Sequence, residues 1–348
     1  MLVRKRLDPA IFNLPVEKMR TGYYADQDLC RAQQVLLRDG YHPQVQVRVY
    51  QRQEVVVCGT DEAIAILKLC SGYMEPDGRW HPGWKELQVM SLYDGERAAP
   101  EEAVMTIAGD YALFAHLETD FLGVLARRTR VATNTTAVVE AAGGKPVLFF
   151  PARFDHHLMQ TGDGYAAYIS GALGVGTDAQ GAWWGRPGMV TVPPSFIACY
   201  GGDAVRAAEA FARHLEEGVN LIVPVETAEQ ALAVAGRLGR RLWGVRLDWG
   251  EAPSDRPAQP LDLQAVWHLR RALDRAGGEF VRIVVSGDLT PEKIRALEDI
   301  GAPVDAYAVG RFLLQGDLAY YAEVVEVDGR PCARPARSRP NPRLSPVE

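Results

Sequence analysis

The side chains of this chain best suited to chemistry stand where short β-branched runs end. Arg153, with Asp155, His156 and His157, follows the run at 146–150. Glu226 follows 219–224, and Arg246 and Asp248 sit in GVRLD at the end of 242–247. Ser286-Gly287-Asp288 follows Ile283-Val285, and Gly310-Arg311 follows Val304-Val309. Arginine grips a carboxylate or phosphate with a planar fork of donors. Glycine has no Cβ, so backbone N–H groups can approach phosphate oxygens. The carboxylates of Asp248 and Glu226 can hold ribose hydroxyls or a magnesium ion bound to diphosphate. Each residue also has a plain structural alternative. The glycines can simply turn strand into helix, Arg246 and Asp248 can pair along one strand face, and His156-His157 lacks a third ligand at metal spacing. Trp183-Trp184 can cover apolar surface or wall a ring-binding pocket.

The elements that must position these residues alternate regularly. Strands are predicted at 146–150, 188–192, 219–224, 242–247, 281–285 and 304–309, with helices at 203–217, 227–238, 262–276 and 291–300. Asp203 is a predicted N-cap, Thr227 with Gln230 forms a capping box, and Thr290 precedes a proline at the first helical position. Residues 165–174 can hide a further strand. Short, even spacing without a G-x-G-x-x-G opening points to a parallel β/α barrel rather than an open doubly wound sheet. In such a barrel the carboxyl ends of the strands share one pocket.

Residues 1–130 read differently. Val45, Val47 and Val49 alternate with polar residues and, with 55–58, suggest an antiparallel hairpin. A helix from Thr60-Asp61 to Cys70 and a strand at 87–92 follow, an α+β layer in all. Two helices are expected at 111–126 and 131–142, separated by the basic cluster Arg127-Arg130, which can be a solvated helix end or face an anion. Beyond 314, Tyr321-Val327, the turn Asp328-Gly329 and Arg330-Cys332 are expected to complete the amino-terminal layer. Residues 336–348, rich in proline and arginine, read as a disordered or loosely docked tail. The expected organisation is an α+β domain over 1–130 completed by 315–335, a barrel over 131–314, and this tail.

The 348 residues, 47% hydrophobic and 24% charged, describe an ordinary globular chain. A formal net charge of −6 argues against a general nucleic-acid binder. The five cysteines are scattered and never spaced C-x-x-C, so neither a zinc site nor a disulfide framework is expected. No signal peptide and no membrane-spanning run is read, so a cytoplasmic location and no membrane partner are expected.

With these residues placed, the order of phrases resembles the nicotinate phosphoribosyltransferase family, type II phosphoribosyltransferases that include the quinolinate enzymes. The phrases are RTGYYAD (20–26), HLETDFLGVLARRTRVATNTTAVVEAAGGKPVLFFPARFDHH (116–157), DGYAAYISGALGVGTDAQG (163–181), GMVTVPPSFIACYGGD (188–203), GVRLD (244–248), IVVSGDLTPEKI (283–294) and VDAYAVG (304–310). The resemblance implies an incomplete β/α barrel beside an α+β domain completed by carboxyl-terminal strands. It implies transfer of ribose 5-phosphate from phosphoribosyl pyrophosphate (PRPP) to the ring nitrogen of a pyridine carboxylate. The alternatives are a quinolinate-type enzyme or a non-catalytic paralogue that binds a phosphorylated ligand.

By the same resemblance Ser286, Gly287 and Gly310 would cradle the 5-phosphate, and Arg153 would meet the nicotinate carboxylate or the ribose phosphate. Asp248 would face ribose or metal, with Glu226 and Arg246 beside it. Thr133 would lie near the phosphoribosyl group, and Ser170 and Gly171 would line the ring pocket. Tyr23 and Tyr24 would be shared across a homodimer or higher homo-oligomer. Magnesium would arrive with PRPP, with no dedicated metal ligands. Three phrases depart from the family pattern: Asp26-Gln27-Asp28 replaces aspartate-x-tyrosine, LIVPVET lacks the aspartate-threonine, and Pro194 replaces a phosphorylatable histidine. Pro194 argues against ATP coupling by that route.

Overall fold

In the computed structural model, which describes residues 5–216, 219–249 and 263–348, the chain forms two compact units. One comprises 1–133 and 316–348, the other 134–315.

The first unit is built on a six-stranded antiparallel sheet. Its order is Arg330–Pro331, Tyr320–Val327, Gln44–Gln51, Ala103–Asp110, Gln88–Ser91 and Ser345–Pro346. Val45, Val47 and Val49 alternate into the core as the period of two requires, and burying each valine stabilises the fold by about 1.5–3 kcal/mol. The expected hairpin does not form. Gln44–Gln51 is flanked by Tyr320–Val327 and Ala103–Asp110, while Val55–Val56 pairs with Arg97–Ala98. Both edges of the central strand are taken by segments distant in sequence. Asp328 and Gly329, both at positive φ, make the tight turn that returns Arg330–Pro331.

The two helices expected around the basic cluster are one, Glu118–Ala141. No proline interrupts it, and its basic stretch is anchored rather than solvated. Arg128 Nε lies 3.0 Å from Glu62 Oε2 with both side chains nearly buried, and Thr129 Oγ1 accepts from Cys58 N–H and donates to Cys58 O. The carboxyl-terminal segment is also docked rather than loose. Ser345 pairs with Ser91, Asn341 Nδ2 donates to the Ala103 carbonyl, and Glu323 accepts from Ser338 Oγ and the backbone N–H groups of Arg337 and Ser338. Among the described residues no helix is long and apolar enough to cross a membrane.

The second unit is a parallel sheet of six strands in the order Leu221–Val225, Leu242–Trp249, Arg282–Gly287, Ala306–Val309, Val147–Phe149, Gly174–Val175. The predicted strand at 188–192 is reduced to an irregular segment. It still spans the two sheet edges: Met189 N–H donates to Val175 O, and Val192 N–H donates to Ile222 O. The sheet thus curls into a barrel with one irregular stave. Helices Ala204–Arg213, Ala228–Leu238, Leu263–Arg275 and Pro291–Asp299 connect the strands, the first, second and fourth capped by Asp203, Thr227 and Thr290.

Candidate functional site

Strand register sorts the barrel interior into layers. Residues paired across neighbouring strands share a face, so Pro224, Arg246, Val284 and Ala306 form one layer. Asp248, Ser286, Ala308, Leu148 and Gly174 form the next, toward the carboxyl ends. Val284 and Ala306 of the first layer belong to an apolar cluster with Ile222. The second is polar at Asp248 and Ser286, while its Ala308 and Leu148 belong to the same apolar cluster.

Three predicted residues in these layers are bonded together. Arg246, only 8% exposed, donates from Nη2 to Asp248 Oδ2 at 2.7 Å and from Nη1 to Thr191 Oγ1 at 3.4 Å. Ser286 Oγ donates to the other Asp248 oxygen, Oδ1. The ion pair expected as a plain alternative is therefore real, but it leaves Arg246 Nε buried without a partner among the described residues. A buried donor left unmade costs about 1–3 kcal/mol, so an arginine in this state is suited to an acceptor the chain itself does not supply.

Above this triad the chain presents backbone donors. Gly287 turns out of its strand at φ 111°, a conformation glycine alone adopts easily. Gly310 follows the adjoining strand and opens a short 3₁₀ turn, Arg311–Leu314. Asn134 Nδ2 secures that turn through the carbonyls of Phe312, Leu313 and Gln315. Among the described residues the N–H groups of Asp288, Gly310 and Arg311 meet no acceptor. N–H groups left without an acceptor at adjacent strand ends are donors suited to an anion.

Arg153 and Glu226 reach the same carboxyl end from other strands. Both are exposed. Arg153 lies in the turn Ala152–Phe154, outside any ion pair among the described residues. Glu226 N–H donates to Gln230 Oε1, which leaves its carboxylate clear of the described side chains.

The remaining predicted residues lie elsewhere. Ser170 and Gly171 end the helix Gln160–Ile169 and precede the strand Gly174–Val175. They therefore stand at the amino end of the barrel, opposite the expected ring pocket, and Ser170 Oγ is spent on the Ala166 carbonyl. Tyr23, Tyr24 and Thr133 belong to the first unit. Tyr23 and Tyr24 are 68% and 43% exposed and meet edge to face. Thr133 Oγ1 accepts from Val56 N–H at 3.1 Å and so helps hold the long helix in place. His156 and His157 are exposed, with ring centroids 4.2 Å apart, and Trp184 stacks on Tyr168.

Sequence reasoning missed Thr177, which follows Gly174–Val175 at the carboxyl end. Its hydroxyl donates to Gln160 Oε1 and accepts from Gln180 N–H. The signal was present in G-T-D-A-Q, a glycine and an N-cap directly after a short apolar run.

The donor set bears on magnesium. No group of three His, Cys, Asp or Glu among the described residues could hold a metal ion, and both Asp248 oxygens are engaged. Glu226 is the clear carboxylate, and magnesium characteristically takes one or two carboxylates together with substrate phosphates.

The sequence matches the family model for the quinolinate phosphoribosyl transferase N-terminal domain over residues 33–129 and that for the C-terminal domain over 131–317. It is 33% identical over 261 residues to a nicotinate phosphoribosyltransferase of Mycobacterium tuberculosis, covering 72% of this chain and 56% of the relative. A Bacillus subtilis protein of the same name is 24% identical over 253 residues, 69% of this chain and 49% of that one. The chain thus spans about half the length of these curated relatives. Among solved structures, the nicotinate-nucleotide pyrophosphorylase of Pyrococcus furiosus aligns with a TM-score of 0.79 at 29% identity, covering 92% of this chain and 79% of that one. Human nicotinic acid phosphoribosyltransferase aligns at 0.66 and 19% identity over 89% and 76%, a likeness of fold.

Proposed function

The chain belongs to the quinolinate phosphoribosyl transferase family, and from that membership we propose that it transfers ribose 5-phosphate from PRPP to nicotinate, giving nicotinate mononucleotide and pyrophosphate for pyridine nucleotide synthesis. The observation that carries this is that the N–H groups of Asp288, Gly310 and Arg311, at the strand ends next to the Arg246–Asp248–Ser286 triad, meet no acceptor among the described residues. These donors suit the 5-phosphate, which Ser286, Gly287 and Gly310 would cradle.

In the reaction the bond from ribose C1 to the pyrophosphate oxygen breaks, and the leaving group takes the electron pair. The pyridine nitrogen lone pair forms the new bond, so no protein nucleophile and no proton transfer are needed. Positive charge develops on the ribose ring. Asp248, oriented by Arg246 and Ser286, places a fixed negative charge toward the ribose, which lowers the barrier without reorganisation. Arg153 reads the acceptor carboxylate. Glu226 would face the diphosphate and help hold a magnesium ion carried with it, which would supply charge neutralisation for the leaving group. Tyr23 and Tyr24 complete the site of a second copy in a homodimer, and with Pro194 at the start of a short helix the reaction runs without ATP coupling.

A panel of pyridine carboxylates with PRPP and magnesium tests the acceptor. Pyrophosphate release with nicotinate and no carbon dioxide from quinolinate is expected. Carbon dioxide release from quinolinate would assign the chain to the decarboxylating reaction instead.

A further inference from the structure

The loop that carries Asp288 is fastened from behind by a residue outside the triad. Lys293 Nζ donates to the Asp288 carbonyl at 2.6 Å, and Leu289 N–H donates to the Gly287 carbonyl at 2.8 Å. In a trans peptide the C=O and the following N–H point in opposite directions. Holding Asp288 C=O toward the helix therefore turns Leu289 N–H onto Gly287 O. Holding Gly287 O in turn points Asp288 N–H the other way, away from the Gly287 carbonyl. One ammonium thus fixes two successive peptide planes.

The identity of the residue supports the same role. Lys293 is the third residue of the helix Pro291–Asp299, whose cap is Thr290. With a threonine cap this position favours glutamate or glutamine, which would close a capping box, and a cation in the first turn opposes the helix dipole. A lysine here forgoes both contributions. Its partly buried side chain reaches back to the loop instead.

Taking the phosphoribosyl-transfer reading as given, we propose that Lys293 is a positioning residue that aims the Asp288 N–H, and adds positive charge behind it, for the 5-phosphate of the substrate. Equilibrium binding of inorganic phosphate and of PRPP to wild type, Lys293→Met and Lys293→Arg tests this. Lys293→Met should weaken both ligands by about 10- to 100-fold, the range of one lost charge-assisted hydrogen bond. Its unliganded melting temperature and its turnover at saturating PRPP should stay close to wild type. Lys293→Arg, which can still donate to the carbonyl, should recover most of the affinity. Unchanged binding by Lys293→Met, or its failure to fold, would overturn the role of Lys293 while leaving the phosphoribosyl reading intact. Wild type that binds neither ligand would overturn both.

Discussion

Phe154 and Gly310 meet across neighbouring strand ends: a Cβ built on Gly310 would lie 2.7 Å from Phe154 Cε2 and 3.4 Å from the Phe150 carbonyl oxygen. The same ring lies under the Arg311 guanidinium, 5.3 Å from its centroid. Phe154 therefore sets how close the backbone at 310 can come, and it props the cation that follows.

Gly310→Ala should push Phe154 aside and shift the unpaired N–H groups of 310 and 311. PRPP affinity, measured by titration calorimetry, should fall about 10-fold or more, as expected when a charge-assisted contact is misplaced. Adding Phe154→Ala to that variant should return part of the loss. No recovery would place the fault in the backbone rather than in the ring.

Asp248→Asn retains an acceptor for Ser286 but removes the charge from beside the buried Arg246. Turnover should drop about 100-fold or more, the range for loss of a preorganised electrostatic contact, with a smaller change in PRPP affinity. Comparable activity would remove Asp248 from the chemistry.

Arg153 is exposed and holds no ion partner among the described residues, so Arg153→Ala should leave the unfolding free energy within about 0.5 kcal/mol of wild type. The KM for nicotinate should rise about 10- to 100-fold. An unchanged KM would take Arg153 out of the acceptor site.

A further consequence concerns pH and the first unit. Burial, reinforced by the neighbouring Asp61 carboxylate, pushes Asp94 up from 3.8 to about 7, against the opposing bonds from Thr60 and the charge of Arg6. Between those values the unfolded chain has lost the proton that the folded chain keeps, so stability falls as pH rises and levels off above about 7. Asp94→Asn keeps an acceptor for the Thr60 N–H and hydroxyl without the charge. Urea denaturation should show it gaining on wild type as pH rises through this window. A constant difference would mean that Asp94 titrates normally.

Much of the barrel was legible because strands such as Arg282–Gly287 are short β-branched runs ending in glycine or a polar residue, and three of the helix starts carry their own cap. Arg246, Asp248, Ser286, Gly287 and Gly310 could be placed at one end by counting from those runs. Partners chosen at long range were legible only in outline: the return of 321–332 to the amino-terminal layer was expected, its place beside Gln44–Gln51 was not. Nothing near Val45 announces Tyr320–Val327 as its neighbour, and nothing in the arginines of 127–130 announces Glu62 or Cys58 as anchors. Ser170 and Gly171 were assigned to the ring pocket by resemblance alone, and residues 160–169 form a helix whose end the pair occupies. Lys293 escaped notice because its role depends on a backbone carbonyl, which leaves no pattern in side-chain types.

The central claim is that the carboxyl end of this barrel performs phosphoribosyl transfer. Purified chain, PRPP, magnesium and nicotinate, followed by mass spectrometry of the product, tests it most directly. Nicotinate mononucleotide formed in step with pyrophosphate, without ATP and about 100-fold or more slower with Asp248→Asn, is the predicted result. Saturable PRPP binding with no nucleotide product from any pyridine carboxylate would contradict it and mark the chain as a phosphate-binding paralogue.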